Sequence, residues 1–383
     1  MSVSTTPLQG FRILTIEQFG AAPYGSMFLA DLGAQVVKIE NKQGGDASRK
    51  TGPHMLGDSD SLYFQTWHSN KQSVTLDLKD SAGRRDFELL AAQADALIDN
   101  LRGDLPASLR LDYASLSEVN PRLVCLHISA YGRDNERASR PGYDFLMQAE
   151  AGLMSLTGEP QSAPARMGPS IIDYMTGMTG MVGLLSCLLR ARETGKGCDV
   201  DASLFDVALH QLGYAGTWFL NAGHAASRLP RSAHFGVGPV QTFPSADGWI
   251  FVMCMTQKFW GVLLAALGRE DLGGDPRFAS PVSRGKHRDE LGAILDDEFR
   301  KQPTAWWLEL LGKKLPIAPV LDVRQALTNP FVAETGMVSH VPHPLNPELR
   351  LLSNPLKIDG QRPSQCAGAA LGADNATLLA GKR

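Results

Sequence analysis

The first two hundred residues alternate short apolar runs with stretches whose apolar positions recur at helical spacing, the pattern of a parallel sheet joined by crossover helices. FRILTI, at 11–16, reads as a strand. Pro23 then suits a helix N1 position, Met27, Phe28 and Leu32 form an apolar stripe, and Gly33 supplies the stop before a second strand, QVVKIE, at 35–40. A second unit repeats the scheme with strand SVTLDL (73–78), a helix over 80–94 capped by Asp80, strand ALI (96–98) and strand LVCLHIS (123–129). This succession predicts a Rossmann-like sheet.

Residues 174–192, YMTGMTGMVGLLSCLLRAR, are too long an apolar stretch for a strand and predict a buried helix whose glycines permit close packing. ETGKG makes a turn, CDVDASL is extended, and 204–222 reads as another apolar helix. Glycine, proline and basic residues then collect between 223 and 242, which places the end of a large domain at 222. A linker and small α/β domain are expected over 223–328, with strand WIFVMCM and helices near 258–267, 286–300 and 303–314. The segment 329–383 is rich in proline and asparagine and is expected to return to the large domain.

Composition narrows the chemistry. With 37 basic and 40 acidic residues the net charge is -3, which excludes the basic footprint of a nucleic-acid binder. At 43% apolar and 20% charged residues the chain has the makeup of a globular protein of one large or two medium domains. Five scattered cysteines form no CxxC pair and no metal-type spacing, so a reduced, cytoplasmic compartment and no metal are expected. The N-terminus lacks a basic segment followed by an apolar one, and no run of about eighteen apolar residues is uninterrupted, so neither secretion nor a membrane partner is expected.

There is no GxxxxGK[ST], no GxGxxG after the first strand, no HExxH and no GxSxG. His127, inside an apolar strand, reads as a packed residue without a role. The unusual feature is GPSIIDYMTGM, where Asp173 stands between an apolar pair and the long apolar helix. Two readings are compatible there: an N-cap accepting backbone N–H groups, and a nucleophilic carboxylate kept ionised by the helix N-terminus.

IEQFGAAPYGSMFLADLGAQVVKIENKQGGDASR, NKQSVTLDLK, ISAYG, RPGYDFLMQAEAGLMSLTG, GPSIIDYMTGM and ETGKGCDVDASLFD together resemble the consecutive landmarks of the class III (CaiB/BaiF type) CoA-transferases. The resemblance implies an α/β fold with a Rossmann-like large domain and a small α/β domain, arranged as an interlocked homodimer. It implies CoA transfer from an acyl-CoA to a small carboxylic acid, CoA being a substrate and no cofactor being tightly bound. It makes Asp173 the nucleophile, through an anhydride and an aspartyl-CoA thioester. By the same resemblance Phe19, Gly20, Ala21, Leu76, Asp77, Lys79, Asn100, Leu101, Arg102, Tyr143 and Asp144 are expected to contact CoA.

Departures from the family pattern carry their own expectations. Asn41 and Ser108 stand at or near positions where relatives carry arginine, so phosphate binding would shift to Lys42, Arg49 or Arg110. The short HFGVGP loop (234–239) argues against oxalate as acceptor, and Arg228, Arg231 and His234 could form a cationic pocket for a dicarboxylate such as succinate, citramalate, mesaconate or glutarate. Tyr143 occupies the place of a histidine in the family's 2-methylacyl-CoA racemases; tyrosine is a poor base at neutral pH, which favours transfer over racemisation. A non-catalytic CoA-binding protein is the third reading, against which the complete Asp173 loop speaks.

Overall fold

The structure, a computed structural model, describes residues 6–379. Six strands form one parallel sheet in the order β3-β2-β1-β4-β5-β6, with β1 Arg12–Ile16, β2 Gln35–Glu40, β3 Gln72–Thr75, β4 Ala96–Asp99, β5 Val124–Ser129 and β6 Cys198–Ser203. This is the doubly wound Rossmann order, whose switch point lies between β1 and β4. Strands β4 and β5 are buried at every position because helices cover both faces, as a parallel sheet requires.

The chain divides into two compact units, the first formed by the residues up to Ala151, Gly168–Leu212 and the segment from Pro330 onward, the second by Gly152–Met167 and Gly213–Asn329. The second unit therefore begins at Gly213, not at 223, and also takes in a segment from before the long helix. The physical cause is a break in the expected 204–222 helix: it is two helices, Leu204–His210 and Gly213–Ala222, with Gly213 at φ +54° opening the second. The C-terminal segment packs on the outer edge of the sheet, where Asp374 and Asn375 side chains accept from Ser73 N and Thr75 N of β3 and so satisfy an otherwise open edge.

Two further details of the first unit differ from the sequence reading. The first helix, Ala21–Asp31, starts two residues before Pro23, and Gly33 follows it at φ +96°. Strand β3 ends at Thr75, so Leu76 and Asp77 lie beyond the sheet. Asp80 caps the Ser81–Ala91 helix as expected, accepting from Gly83 N.

The apolar helix runs Ile171–Thr194, and it is not uniformly buried: Val182 and Leu189 are each 65% exposed. By length and apolar character it could cross a membrane, yet its glycines seat it against the sheet and against the 21–31 helix. A Cβ on Gly25 would come within 2.8 Å of Gly177 O, and one on Gly177 would collide with Ala21 O. Gly180 likewise lies against Leu126 and Ile128 of β5, so backbone approaches backbone on one side and the sheet on the other.

The second unit has its own core. A three-stranded antiparallel sheet, β7 Val240–Pro244, β8 Trp249–Met253 and β9 Ile317–Pro319, packs with helices Gln257–Leu267, Arg288–Phe299 and Thr304–Leu311 around Phe243, Trp260, Phe278, Phe299 and Trp307.

Candidate active site

Asp173 sits in the first turn of the 171–194 helix and not at its cap. The capping carboxylate is Asp144, only 3% exposed, whose Oδ2 accepts from Ile172 N at 2.6 Å and Asp173 N at 3.0 Å while Gln148 donates to its Oδ1. The cap reading was therefore sound chemistry attached to the wrong aspartate. Asp144 lines neither of the cavities described below; it positions the helix that carries Asp173.

The Asp173 carboxylate lies directly on Gly20, where a Cβ would collide with Oδ2. Glycine is required there by space, and the Gly25–Gly177 contact one turn along fixes that closeness. Burial, with the Asp144 charge as a second cause, pushes the Asp173 carboxyl up to about 7. The helix N-terminus favours the ionised form, but desolvation outweighs that field and leaves a carboxylate of unusual basicity.

The turn between β1 and the 21–31 helix is strained and held from behind. Phe19 has φ +59°, a costly conformation for a bulky residue. Lys38, completely enclosed, donates to Glu17 O and pairs with Asp46, and Asp46 in turn accepts from Ser48 N and, at 3.4 Å, from Phe19 N. Lys71 pairs with Glu17 and Ser26 donates to it. Burial opposes ionisation of Asp46, but Lys38 and His68 win and hold it far below the usual carboxylate range. Nothing in sequence periodicity marks this network, although a lysine within the apolar strand QVVKIE was a signal that it needed a partner.

Two cavities open at the carboxyl ends of the strands. One, of about 180 Å³, is lined by Phe19, Gly20, Ala21, Asn100, Leu101, Arg102, Arg140, Tyr143, Asp173 and their neighbours. The other, of about 600 Å³, is lined by Glu40, Asn41, Lys42, Asp46, Leu76, Asp77, Lys79, Asn100 and Leu101, among others. They share Gln18, Asn100 and Leu101. Asn100 clamps the shared wall: its Oδ1 accepts from Gln18 N and its Nδ2 donates to Gln18 O. The residues singled out in sequence thus fall into two groups, one around Asp173 and one beyond the ends of β2 and β3, with Asp144 behind the first.

Of the replacement cations, Arg49 is unavailable: it is buried, bound to both carboxylate oxygens of Glu40, and stacked 3.7 Å over the Phe64 ring. Arg110 lies in neither cavity, which leaves the exposed Lys42 and Lys79 in the larger one. Arg228, Arg231 and His234 do not assemble into a pocket. Arg228 is held by the Ser162 and Ala163 carbonyls, Arg231 pairs with Asp296, and the His234 Nδ1 accepts from Gly236 N and Val237 N.

His127 is packed, but it is not a passive residue. Its two ring nitrogens reach Asp99 at 2.6 Å and Asp199 at 3.0 Å. Burial disfavours its charge, but the two carboxylates prevail and raise it to about 9, so it is an imidazolium at neutral pH. Asp99 Oδ1 accepts from Leu101 N, so this charge braces the Asn100–Arg102 loop that borders both cavities.

Comparison with known proteins adds the family. The sequence model of CoA-transferase family III matches residues 8–375. An acetyl-CoA:oxalate CoA-transferase from Acetobacter aceti is 33% identical, covering 92% of this chain and 90% of its own, and human succinyl-CoA:glutarate CoA-transferase is 30% identical, covering 88% and 77%. Among solved structures, a CaiB/BaiF family protein from Brucella suis superposes with a TM-score of 0.86 at 30% identity, covering 99% of this chain and 100% of that one. The chain belongs to CoA-transferase family III and is an enzyme that moves CoA from an acyl-CoA donor to a carboxylic acid acceptor.

Proposed function

We propose that Asp173 is the covalent centre of this transfer. The observation that carries the proposal is the carboxylate raised to about 7 and placed against Gly20 on the wall of the 180 Å³ cavity. A more basic carboxylate is a better nucleophile, and at neutral pH a large fraction of it is ionised.

An Asp173 oxygen attacks the donor thioester carbonyl, the C–S bond breaks, and CoA leaves as thiolate from a mixed anhydride. The thiolate attacks Asp173 Cγ, releasing the donor acid as carboxylate and leaving an aspartyl-CoA thioester. The acceptor carboxylate repeats the two steps in reverse, and Asp173 is regenerated with no net proton taken up. Each intermediate retains the activation that water would discard, so the small cavity serves by restricting water. The larger cavity, with Lys42 and Lys79, suits the phosphate-bearing end of CoA, and the shared wall Gln18–Asn100–Leu101 lies along the connecting arm.

The relatives named for oxalate, glutarate, mesaconate and malate support a dicarboxylic acceptor. The 33% identity to an oxalate enzyme weakens the HFGVGP loop as an argument against oxalate. A homodimer, interlocked as the family resemblance implies, is supported by the exposed apolar side chains Val182 and Leu189 in the first unit and Phe219 and Leu220 in the second. A monomeric mass in solution at micromolar concentration would count against it. Five free cysteines accord with a reducing, cytoplasmic setting.

The mechanism is tested by incubating the protein with acyl-CoA, quenching with hydroxylamine or borohydride, and mapping the modified residue by peptide mass. Modification confined to Asp173 is expected. An unmodified Asp173 in an enzyme that still turns over rejects the proposal.

A further inference from the structure

Two arginines line the Asp173 cavity, and they are not equivalent. Arg102 is bound by its own loop, with Nε 3.2 Å and Nη2 3.0 Å from the two oxygens of Asp104. Arg140 has no carboxylate within ion-pair distance among the described residues. Glu150, the carboxylate that feels its field, is taken by Arg137 at 2.6 Å and by Tyr131 at 2.7 Å. An exposed arginine without an ion-pair partner, on the wall of a small cavity that also contains a reactive carboxylate, is a place for an anion the protein does not itself supply.

The remaining lining says what kind of anion. Ile128, Leu204 and the rings of Phe19 and Tyr143, which meet edge to face at 6.3 Å, add apolar surface to the same lining. The volume, about 180 Å³, leaves room for a short carbon chain.

We propose that Arg140 is a specificity-determining residue that holds the far carboxylate of a short dicarboxylic acceptor while its near carboxylate meets the Asp173 centre. This rests on the transfer reaction proposed above and deepens it. A monocarboxylic acid of equal length would leave Arg140 without its anion and lose that charge-assisted bond.

The experiment compares wild type with Arg140→Gln and Arg140→Lys in the full-length protein. Acetyl-CoA, or succinyl-CoA where acetyl-CoA is not accepted, is the donor, and oxalate, succinate and glutarate are tested beside butyrate and pentanoate. In wild type a dicarboxylate is expected to be preferred over its monocarboxylic counterpart. In Arg140→Gln, kcat/KM for that dicarboxylate should fall about 10- to 100-fold, mostly through KM, with Arg140→Lys recovering part of it and the monocarboxylates unchanged. Intact-mass detection of the aspartyl-CoA adduct without acceptor reads the Asp173 mechanism separately, and the adduct should form equally in all three proteins. Absence of that adduct in wild type counts against the Asp173 mechanism alone. An equal loss on both acid classes, unchanged dicarboxylate kinetics in Arg140→Gln, or a wild type that prefers monocarboxylates overturns the assignment of Arg140.

Discussion

The two cavities share a wall and are built by opposite means. Around Asp173 the protein brings backbone to backbone, through Gly20, Gly25 and Gly177, and braces the strained Phe19 turn with buried charges. Beyond β2 and β3 the larger cavity is bordered by strand ends and by lysines exposed to solvent. The difference corresponds to what each must do. A reacting atom displaced by an ångström loses much of its rate, whereas a phosphate can be met by a mobile ammonium over a wider range of positions. Substitutions should therefore be severe on the first side and mild on the second.

The largest effect is expected at Asp173. Asp173→Asn keeps the volume and removes the nucleophile, so transfer should fall by at least about a thousandfold while CoA binding persists. Stability should move in the opposite direction. The folded-state carboxyl is raised above its ordinary value, so the fold favours the protonated form, and stability is lost as pH rises through about 7. A neutral amide removes that loss, and at pH 8 thermal unfolding of the variant should occur at a higher temperature than that of wild type. A lower unfolding temperature would mean that Asp173 serves the fold, as a cap would.

Next in size is Gly177→Ala. The added Cβ collides with Ala21 O, so the two helices must separate and move Asp173 away from Gly20. A stability cost of about 1–3 kcal/mol and a rate loss of up to about 100-fold are expected. Gly261→Ala, in the 257–267 helix of the second unit with nothing near its Cβ, is the control and should stabilise by ~0.5–1 kcal/mol. If both substitutions behave alike in urea unfolding and in turnover, close approach is not what places Asp173.

Much of this was legible in the sequence because it is local. The apolar run QVVKIE coincides to the residue with β2, and Asp80 announces its helix by cap chemistry. The landmarks around Asp173, Asn100 and Leu76 identify the family. What escaped depends on partners distant in the chain. Asp144 caps a helix that starts 27 residues later, Lys38 requires Glu17 and Asp46, and His127 is charged only because β4 and β6 present Asp99 and Asp199 on either side of it. Periodicity marks the face a side chain points to and is silent about which charge waits there. The break at Gly213 was missed because one apolar pattern runs through both helices and only the backbone conformation separates them.

The pH dependence of transfer is the third test. If the ionised Asp173 attacks, activity should rise with pH around a midpoint near 7 and fall about tenfold per unit below it. Asp144→Asn should shift that midpoint to lower pH, since one of the two causes of the shift is removed, but not to the ordinary carboxylate range, because burial is the larger cause. A flat profile between pH 5 and 8 under saturating acyl-CoA would exclude a carboxylate of this basicity as nucleophile.

The smallest effects belong to the larger cavity. Lys42 and Lys79 are exposed, and Lys79 meets its own loop only through its backbone N–H, which donates to Asp77 at 2.9 Å. Each ammonium acts on a phosphate through water-screened attraction of ~0.4–1 kcal/mol, so Lys42→Ala and Lys79→Ala should each raise KM for acyl-CoA roughly two- to fivefold with kcat held. The losses should shrink as salt is raised, and the double variant should show their sum in free energy, because independent mobile charges add. A hundredfold effect at either lysine, or a drop in kcat with KM unchanged, would mean that this side too is organised around close geometry, and the contrast between the two cavities would not hold.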